Sequence, residues 1–218
     1  MEITKQHIQI IDDHFKNNGI KYWDLRIEMI DHLVSDIEQN SISEDFKSEF
    51  SKSLKRANWS GDLSGVNREG WQNVNRKYRS EYHKGFIDFF KNYKNVSIFV
   101  IGFLSFYFFS KIISFKTFDT VSRILFISPL LMVFIEFGKS LFKKYGRSIN
   151  LDYGINYMIM SFLILNMAPI VFDDQSALFQ KIMWFIILPI HFVAFYSGYI
   201  LYKKAIVKVE FMKKELST

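Results

Sequence analysis

Cysteine is absent from this sequence of 218 residues. The chain can therefore form no disulfide framework, no thiolate nucleophile and no cysteine-ligated zinc or iron–sulfur site. Proline and glycine are scarce, with 3 and 10 residues, which argues against a disordered or Pro/Gly-rich chain. The composition favours helices and excludes thiol chemistry.

A clustered basic surface is also lacking, although the formal net charge is +6. Residues 1–95 contain 15 Lys and Arg against 15 Asp and Glu, whereas residues 96–218 contain 13 against 7. The positive excess thus falls in short stretches between hydrophobic runs. Because no soluble segment carries a Lys/Arg stripe with interleaved aromatic residues, the sequence predicts no binding of nucleic acid.

Apolar residues are abundant: 49% of the chain is hydrophobic and 18% is aromatic. Four hydrophobic runs lie at about residues 96–115, 121–142, 155–172 and 182–202. Each is about 18–22 residues long, which at about 1.5 Å per residue matches the ~30 Å hydrocarbon core of a bilayer. Buried helices of a soluble protein are the alternative, but a neutral region of about 95 residues is too small to shield four of them. We therefore predict four transmembrane helices in contact with the lipid bilayer.

The distribution of basic residues predicts the orientation of these helices. Fifteen Lys and Arg residues lie close to one set of span ends: six at residues 76–94 before the first run, four at 139–147 around the second connection, and five at 203–214 after the fourth run. The other connections hold only Lys111, Lys116, Arg123 and Lys181. Residues 1–40 contain no apolar signal-peptide segment, so we expect the N-terminus to stay on the side of synthesis. By the positive-inside rule, the expectation is a multi-pass protein of a bacterial inner membrane with cytoplasmic N- and C-termini.

Before the first run, the periodicity is helical throughout. Helices are predicted at about residues 4–18, directly after Gly19, from an N-cap at Ser43 and from about Val66. No proline separates the last of these from the first run, so it could enter the membrane as one long helix. The predicted fold is all-α: a cytoplasmic helical domain at 1–92, a four-helix transmembrane bundle at 93–205 and a basic cytoplasmic tail at 206–218.

The second predicted helix has two faces. Its apolar stripe consists of Trp23, Ile27, Ile30, Val34 and Ile37, with Met29 and Leu33 beside it. An acidic stripe consists of Asp24, Glu28, Asp31 and Glu38. We expect the apolar face to be buried, Arg26 within it to pair with a carboxylate, and the acidic stripe to be solvated or bound by a partner. Trp59 and Trp71 are candidate anchors for that partner, because tryptophan is a frequent hot-spot residue.

The same helix carries a family resemblance. The stretch Tyr22-Trp23-Asp24-Leu25-Arg26-Ile27-Glu28-Met29-Ile30-Asp31-His32-Leu33, continuing to Ile37-Glu38, resembles the opening helix of uncharacterised membrane proteins of Bacteroidota, especially flavobacteria. It is more loosely similar to the HAAS-type helical domain found ahead of transmembrane segments. The segment from Trp71 to Phe90 resembles the basic-aromatic stretch that follows in those proteins. Over about residues 5–92, the resemblance implies a cytoplasmic interaction or sensing domain on a membrane anchor, and no known chemistry.

A metal or acid/base site is the one chemical function that the soluble helices suggest. Its candidates are Glu28, Asp31, His32 and Asp36. Their spacing matches neither the Glu-x-x-His of di-iron bundles nor the His-Glu-x-x-His of zinc peptidases, and a solvated acidic face with His32 at its edge explains the same residues. No phosphate loop, dinucleotide fingerprint or hydrolase elbow is present. We therefore predict no enzyme, no metal and no cofactor.

Polar residues inside the predicted spans form a second candidate set: Glu136, His191 and Asn166. Ionisable groups in a membrane are costly and suggest function by default. Glu136 lies near the cytoplasmic end of its span with Lys139 three residues later, so an interfacial ion pair explains it as well. His191 is neutral in the simplest interpretation and would hydrogen-bond Ser161, Asn166 or Tyr196.

These observations predict a non-enzymatic integral membrane protein. The leading function is a regulatory adaptor or accessory subunit that binds a protein partner through its cytoplasmic helical domain. The alternative is a small channel, pore-forming effector or transporter in which Glu136 and His191 line a route and a homo-oligomer builds the conduit.

Overall fold

The computed structural model of the chain describes residues 1–143 and 145–217; Lys144, one of the basic residues between the second and third runs, and Thr218 lie outside them. Its helices are α1 (Lys5–Asn17), α2 (Trp23–Asn40), α3 (Phe46–Arg56), α4 (Ser64–Lys91), α5 (Tyr93–Ile112), α6 (Phe115–Ile127), α7 (Pro129–Phe142), α8 (Ile149–Leu165), α9 (Ala168–Phe172) and α10 (Ala177–Ser217). No strand occurs among the described residues, and the all-α prediction is confirmed.

Four helical segments are long and apolar enough to cross a membrane, which confirms the multi-pass prediction. They are span one, Tyr93–Ile112; span two, Phe115–Phe142; span three, Ile149–Phe172; and span four, Ala177–Lys214. Span two comprises α6 and α7, span three comprises α8 and α9, and span four is most of α10. Each span begins three to six residues before its predicted start, because the helical backbone extends through polar residues to a cap. Ser114, for example, accepts a hydrogen bond from the Thr117 N–H ahead of the apolar residues of span two.

The chain divides into two compact units. Unit 1 comprises Met1–Arg76, Tyr145–Asn150 and Val209–Thr218, and unit 2 comprises Lys77–Lys144 and Leu151–Lys208. The N-terminal helices therefore fold together with the connection between spans two and three and with the C-terminal end.

Unit 1 has an apolar core formed by its first helices. The core residues include Ile11, Phe15, Ile20, Leu25, Met29, Leu33, Ile37, Phe46, Leu54 and Leu63. On α2 the fully buried line is Leu25, Met29, Leu33 and Ile37, whereas Trp23, Ile27, Ile30 and Val34 are half-buried. The predicted centre of the buried face is thus wrong by about one residue step of 100°. Arg26 pairs with Asp12 at 2.6 Å, as predicted.

Two predicted helix boundaries are corrected by local caps. Helix α3 begins after Asp45, whose side chain accepts from the Lys47 N–H, and not after Ser43. Helix α4 ends before Asn92, which has extended backbone angles and whose side chain accepts from the Lys94 and Asn95 N–H groups at the start of α5. Helix α4 and span one are therefore separate helices.

Unit 2 has its own core around span four. Phe118, Phe126, Phe172, Trp184, Ile187 and Leu188 form its buried centre. Within the chain, 44% of the apolar window of span four is buried, against 6% for span one. Span four is consequently the most buried of the four spans, and span one is the least buried.

Candidate functional site

Asp24 lies in the first turn of α2, and its side chain is fully buried. Its carboxylate accepts hydrogen bonds from the residues that begin α8. The Ser148 hydroxyl donates at 2.6 Å, the Ile149 N–H at 3.0 Å, and the Asn150 N–H and side-chain amide at 3.1 and 2.7 Å. The first N–H groups of a helix have no partner within it and favour negative charge. Asp24 therefore caps α8 from a distant part of the sequence.

The prediction of an exposed four-residue acidic stripe is wrong for Asp24. A buried carboxylate is stable only when hydrogen bonds replace its hydration, and the donors at the start of α8 supply them. Ser148 directly before an apolar run is a recognisable N-cap signal. No local pattern, however, indicates that a carboxylate 124 residues earlier completes that cap.

The other three acidic residues of the stripe, Glu28, Asp31 and Glu38, are exposed. At about 100° per residue, they lie on the side of α2 opposite its buried line. We call these three residues the acidic face. The structure thus separates α2 into a core side, a capping carboxylate at its start and an exposed anionic side.

The two candidate tryptophan anchors differ in their surroundings. Trp59 is half-buried and packs edge-on against Phe15, with 5.8 Å between ring centroids, and tilted against His32 at 5.3 Å. Trp71 is 40% exposed and packs edge-on against Tyr22 at 5.7 Å. Trp59 therefore contributes to packing in unit 1, and Trp71 is the more accessible of the two.

The residues considered for a metal site are engaged separately. Asp36 forms an ion pair with Arg56 at 2.6 Å, and this guanidinium holds the pKa of the Asp36 carboxyl below its usual range. His32 packs on Trp59. Within residues 1–143 and 145–217, no three His, Asp or Glu side chains lie close enough together to hold a metal ion.

Glu136 is buried within span two and lies next to two lysines. Its carboxylate is 3.0 Å from the Lys139 ammonium and 3.7 Å from that of Lys203 on α10. The Tyr202 hydroxyl donates to the Glu136 carbonyl at 3.2 Å. The ion pair with Lys139 is the arrangement that the i,i+3 spacing suggests, and it neutralises the charge of Glu136.

His191 is fully buried in span four, where its ring lies 4.4 Å from that of Phe126. The backbone of Phe126 is close enough to interact with the ring, but neither ring nitrogen makes a hydrogen bond of ordinary geometry. The predicted hydrogen bonds from His191 to Ser161, Asn166 or Tyr196 are therefore wrong. Asn166 is half-buried near the end of span three, where its N–H donates to the Phe162 carbonyl.

Comparison with known proteins adds no family to this description. No protein-family model, no curated protein and no solved structure matches the chain.

Proposed function

We propose that this chain is a non-enzymatic inner-membrane protein that binds a protein partner through its N-terminal helical domain, as an adaptor or accessory subunit. The acidic face of α2 carries the proposal. Its three carboxylates are exposed and lie on one rigid helix whose opposite side is fixed in the core. Such a single-sign surface attracts a complementary basic surface and orients it.

The position of α2 in unit 1 supports this proposal. Asp24 joins the start of the helix to Ser148, Ile149 and Asn150, which begin span three. A partner held on the acidic face would consequently be linked through Asp24 to the start of α8. The resemblance of residues 22–38 to the HAAS-type helix agrees with an interaction domain on a membrane anchor.

The grouping of the chain within unit 1 supports cytoplasmic termini. The N-terminal helices, the connection at residues 145–150 and the C-terminal end all belong to this unit. Parts of one compact unit would share one side of the membrane, and four of the fifteen basic residues counted in the sequence, Arg76, Arg147, Lys213 and Lys214, belong to this unit. Under the positive-inside rule, the shared side is the cytoplasm.

Charge reversal on the acidic face tests the proposal in the full chain. We would extract native membranes gently and compare the proteins that co-purify with the wild type and with the Asp31→Lys, Glu38→Lys variant. The matched control is Glu44→Lys with Glu69→Lys, which changes the net charge equally at exposed positions outside α2. Loss of one stoichiometric partner from the first variant alone supports the proposal. Equal recovery from both variants contradicts the assignment to the acidic face.

One observation keeps a channel as the second candidate. His191 is a buried ionisable group in the middle of a span, and its ring nitrogens lack ordinary hydrogen bonds. If it served a route for ions in a homo-oligomer, His191→Ala would change ion flux through reconstituted vesicles. If vesicles that contain the wild-type protein show no ion flux, this function is contradicted.

A further inference from the structure

Spans one, two and four border a groove within unit 2 that has a volume of about 620 Å³. Its walls are apolar and rich in aromatic rings; they include Phe99, Phe103, Phe106, Leu125, Phe192 and Phe195. Gly102 also lines the groove, and a Cβ atom at this position would meet nothing within 4 Å. The volume lies within the range of about 300–1,000 Å³ that is usual for ligand sites, which are also mostly apolar.

The groove extends along one half of the membrane thickness. On α5 its lining runs from Asn95 to Phe106, and on α10 it runs from Leu188 to Tyr199. Each stretch is 11 residue steps, or about 16 Å at about 1.5 Å per residue. A bilayer has a hydrocarbon core of ~30 Å, so the groove matches the depth of a single leaflet.

Polar groups gather at one end of this groove, where span one begins. The Asn95 amide donates to the Tyr196 hydroxyl at 3.4 Å. Lys94 is the exposed neighbour of Asn95, and the Lys203 ammonium lies 5.9 Å from the ring centroid of Tyr199. In the middle of the groove, the Ser128 hydroxyl is already used by the Leu125 carbonyl at 2.8 Å. Lys203 shares the Glu136 carboxylate, 3.7 Å away, with Lys139, which lies 3.0 Å from it, so the two lysines outnumber the one acid there. With the exposed Lys94, the outer end of the groove carries a net positive charge, and the groove offers an apolar surface along its depth.

We propose that this groove binds an acyl chain of an anionic phospholipid, with the phosphate beside Lys94 and Lys203. The lipid belongs to the leaflet at which span one begins. The depth and the apolar lining match one acyl chain of such a lipid, and the terminal positive charge matches its anionic headgroup. A helix from a second copy is the alternative occupant, and it would give a dimer without bound lipid in the measurement below.

Lipid retention by the purified full chain tests the proposal. We would reconstitute the protein into vesicles of equimolar phosphatidylglycerol and phosphatidylcholine, extract it in a mild detergent and measure bound lipid by native mass spectrometry. The wild type should retain one phosphatidylglycerol. Gly102→Leu should lose it, because the new side chain fills the groove. Gly138→Leu is the matched control: this glycine of span two also faces open space and does not line the groove.

A second pair of variants distinguishes the contribution of the lipid headgroup from that of its acyl chain. Lys94→Gln with Lys203→Gln should still retain a lipid, but without preference between the two headgroups. Lys111→Gln with Lys116→Gln, which removes the same charge at the other end of span one, should keep the preference. If Gly102→Leu fails to fold, this pair of lysine variants still tests whether the groove binds an anionic lipid. A wild type that retains no lipid, or both lipids equally, overturns the proposal, as does equal retention by the two leucine variants.

Discussion

Gly198 of α10 lies directly against the backbone of Tyr157 on α8. A Cβ atom at Gly198 would collide with the Tyr157 carbonyl oxygen and would lie 2.7 Å from the Met158 Cα. Small residues at such positions let two helices in a membrane approach closely. Here glycine is required by space and not by backbone conformation.

Adding one methyl group at Gly198 should therefore destabilise unit 2. We expect Gly198→Ala to lower the free energy of unfolding by about 1–3 kcal/mol, the usual cost of overpacking. Gly138→Ala is the control, since a Cβ there meets nothing within 4 Å. Unfolding in detergent, followed by circular dichroism, measures the difference. Equal stability of the two variants would show that α8 and α10 do not approach this closely.

Removal of the Asp24 carboxylate should destabilise unit 1. Asp24→Ala leaves the donors at the start of α8 without their buried acceptor, and the loss of such a cap costs about 2–3 kcal/mol. Asp31→Ala, which removes an exposed carboxylate from the same helix, should change stability by less than about 0.5 kcal/mol. The same unfolding assay compares them. A similar small effect of both variants would contradict the capping role.

The stability of unit 1 should fall in mild acid because of His14. This side chain packs against Phe15 and Phe50, with ring centroids 5.8 and 5.3 Å away, and burial lowers its pKa from the ordinary value of 6.5. The unfolded chain then binds the proton more readily than the folded chain. Stability is fully present above pH 6.5 and is lost as the pH falls from there through the lowered pKa. His14→Gln should flatten this slope in pH-dependent unfolding, and an unchanged slope would assign it to other groups.

The orientation in the membrane can be measured directly, because the chain has no cysteine of its own. We expect Ser51→Cys, on the exposed side of α3, to react with a membrane-impermeant maleimide only after the cells are permeabilised. Asp174→Cys, in the exposed connection between spans three and four, should react in intact cells. The reverse pattern would invert the proposed topology.

The spans could be predicted from the sequence because length and hydropathy alone determine which segments can cross a bilayer. Their ends could not, because a helix begins where its first N–H groups find a cap, as those of α5 do at Asn92, and ends where its last carbonyl groups find one. The buried side of α2 was found only approximately. Its half-buried residues, such as Trp23 and Ile27, are as apolar as Leu25. The helical periodicity therefore cannot distinguish them from the residues that are fully buried.

The candidate site was also predicted only in part from the sequence. The charge of Arg26 within an apolar arc correctly predicted a carboxylate partner, which is Asp12. Asp24, Asp31 and Glu38 share one stripe in the sequence, yet only Asp24 is buried. The difference arises because Ser148 and Asn150 donate hydrogen bonds to Asp24. A contact between residues more than a hundred positions apart cannot be predicted from the local spacing of residues.

The Asp24 cap also sets an order of events during synthesis. The carboxylate leaves the ribosome with the first helices, while its donors at Ser148, Ile149 and Asn150 are made only after spans one and two. Until then Asp24 stays hydrated, and the N-terminal domain lacks the bonds that complete it. Completion of this domain therefore depends on residues that follow spans one and two in the chain, and the N-terminal helices alone cannot reach their final structure.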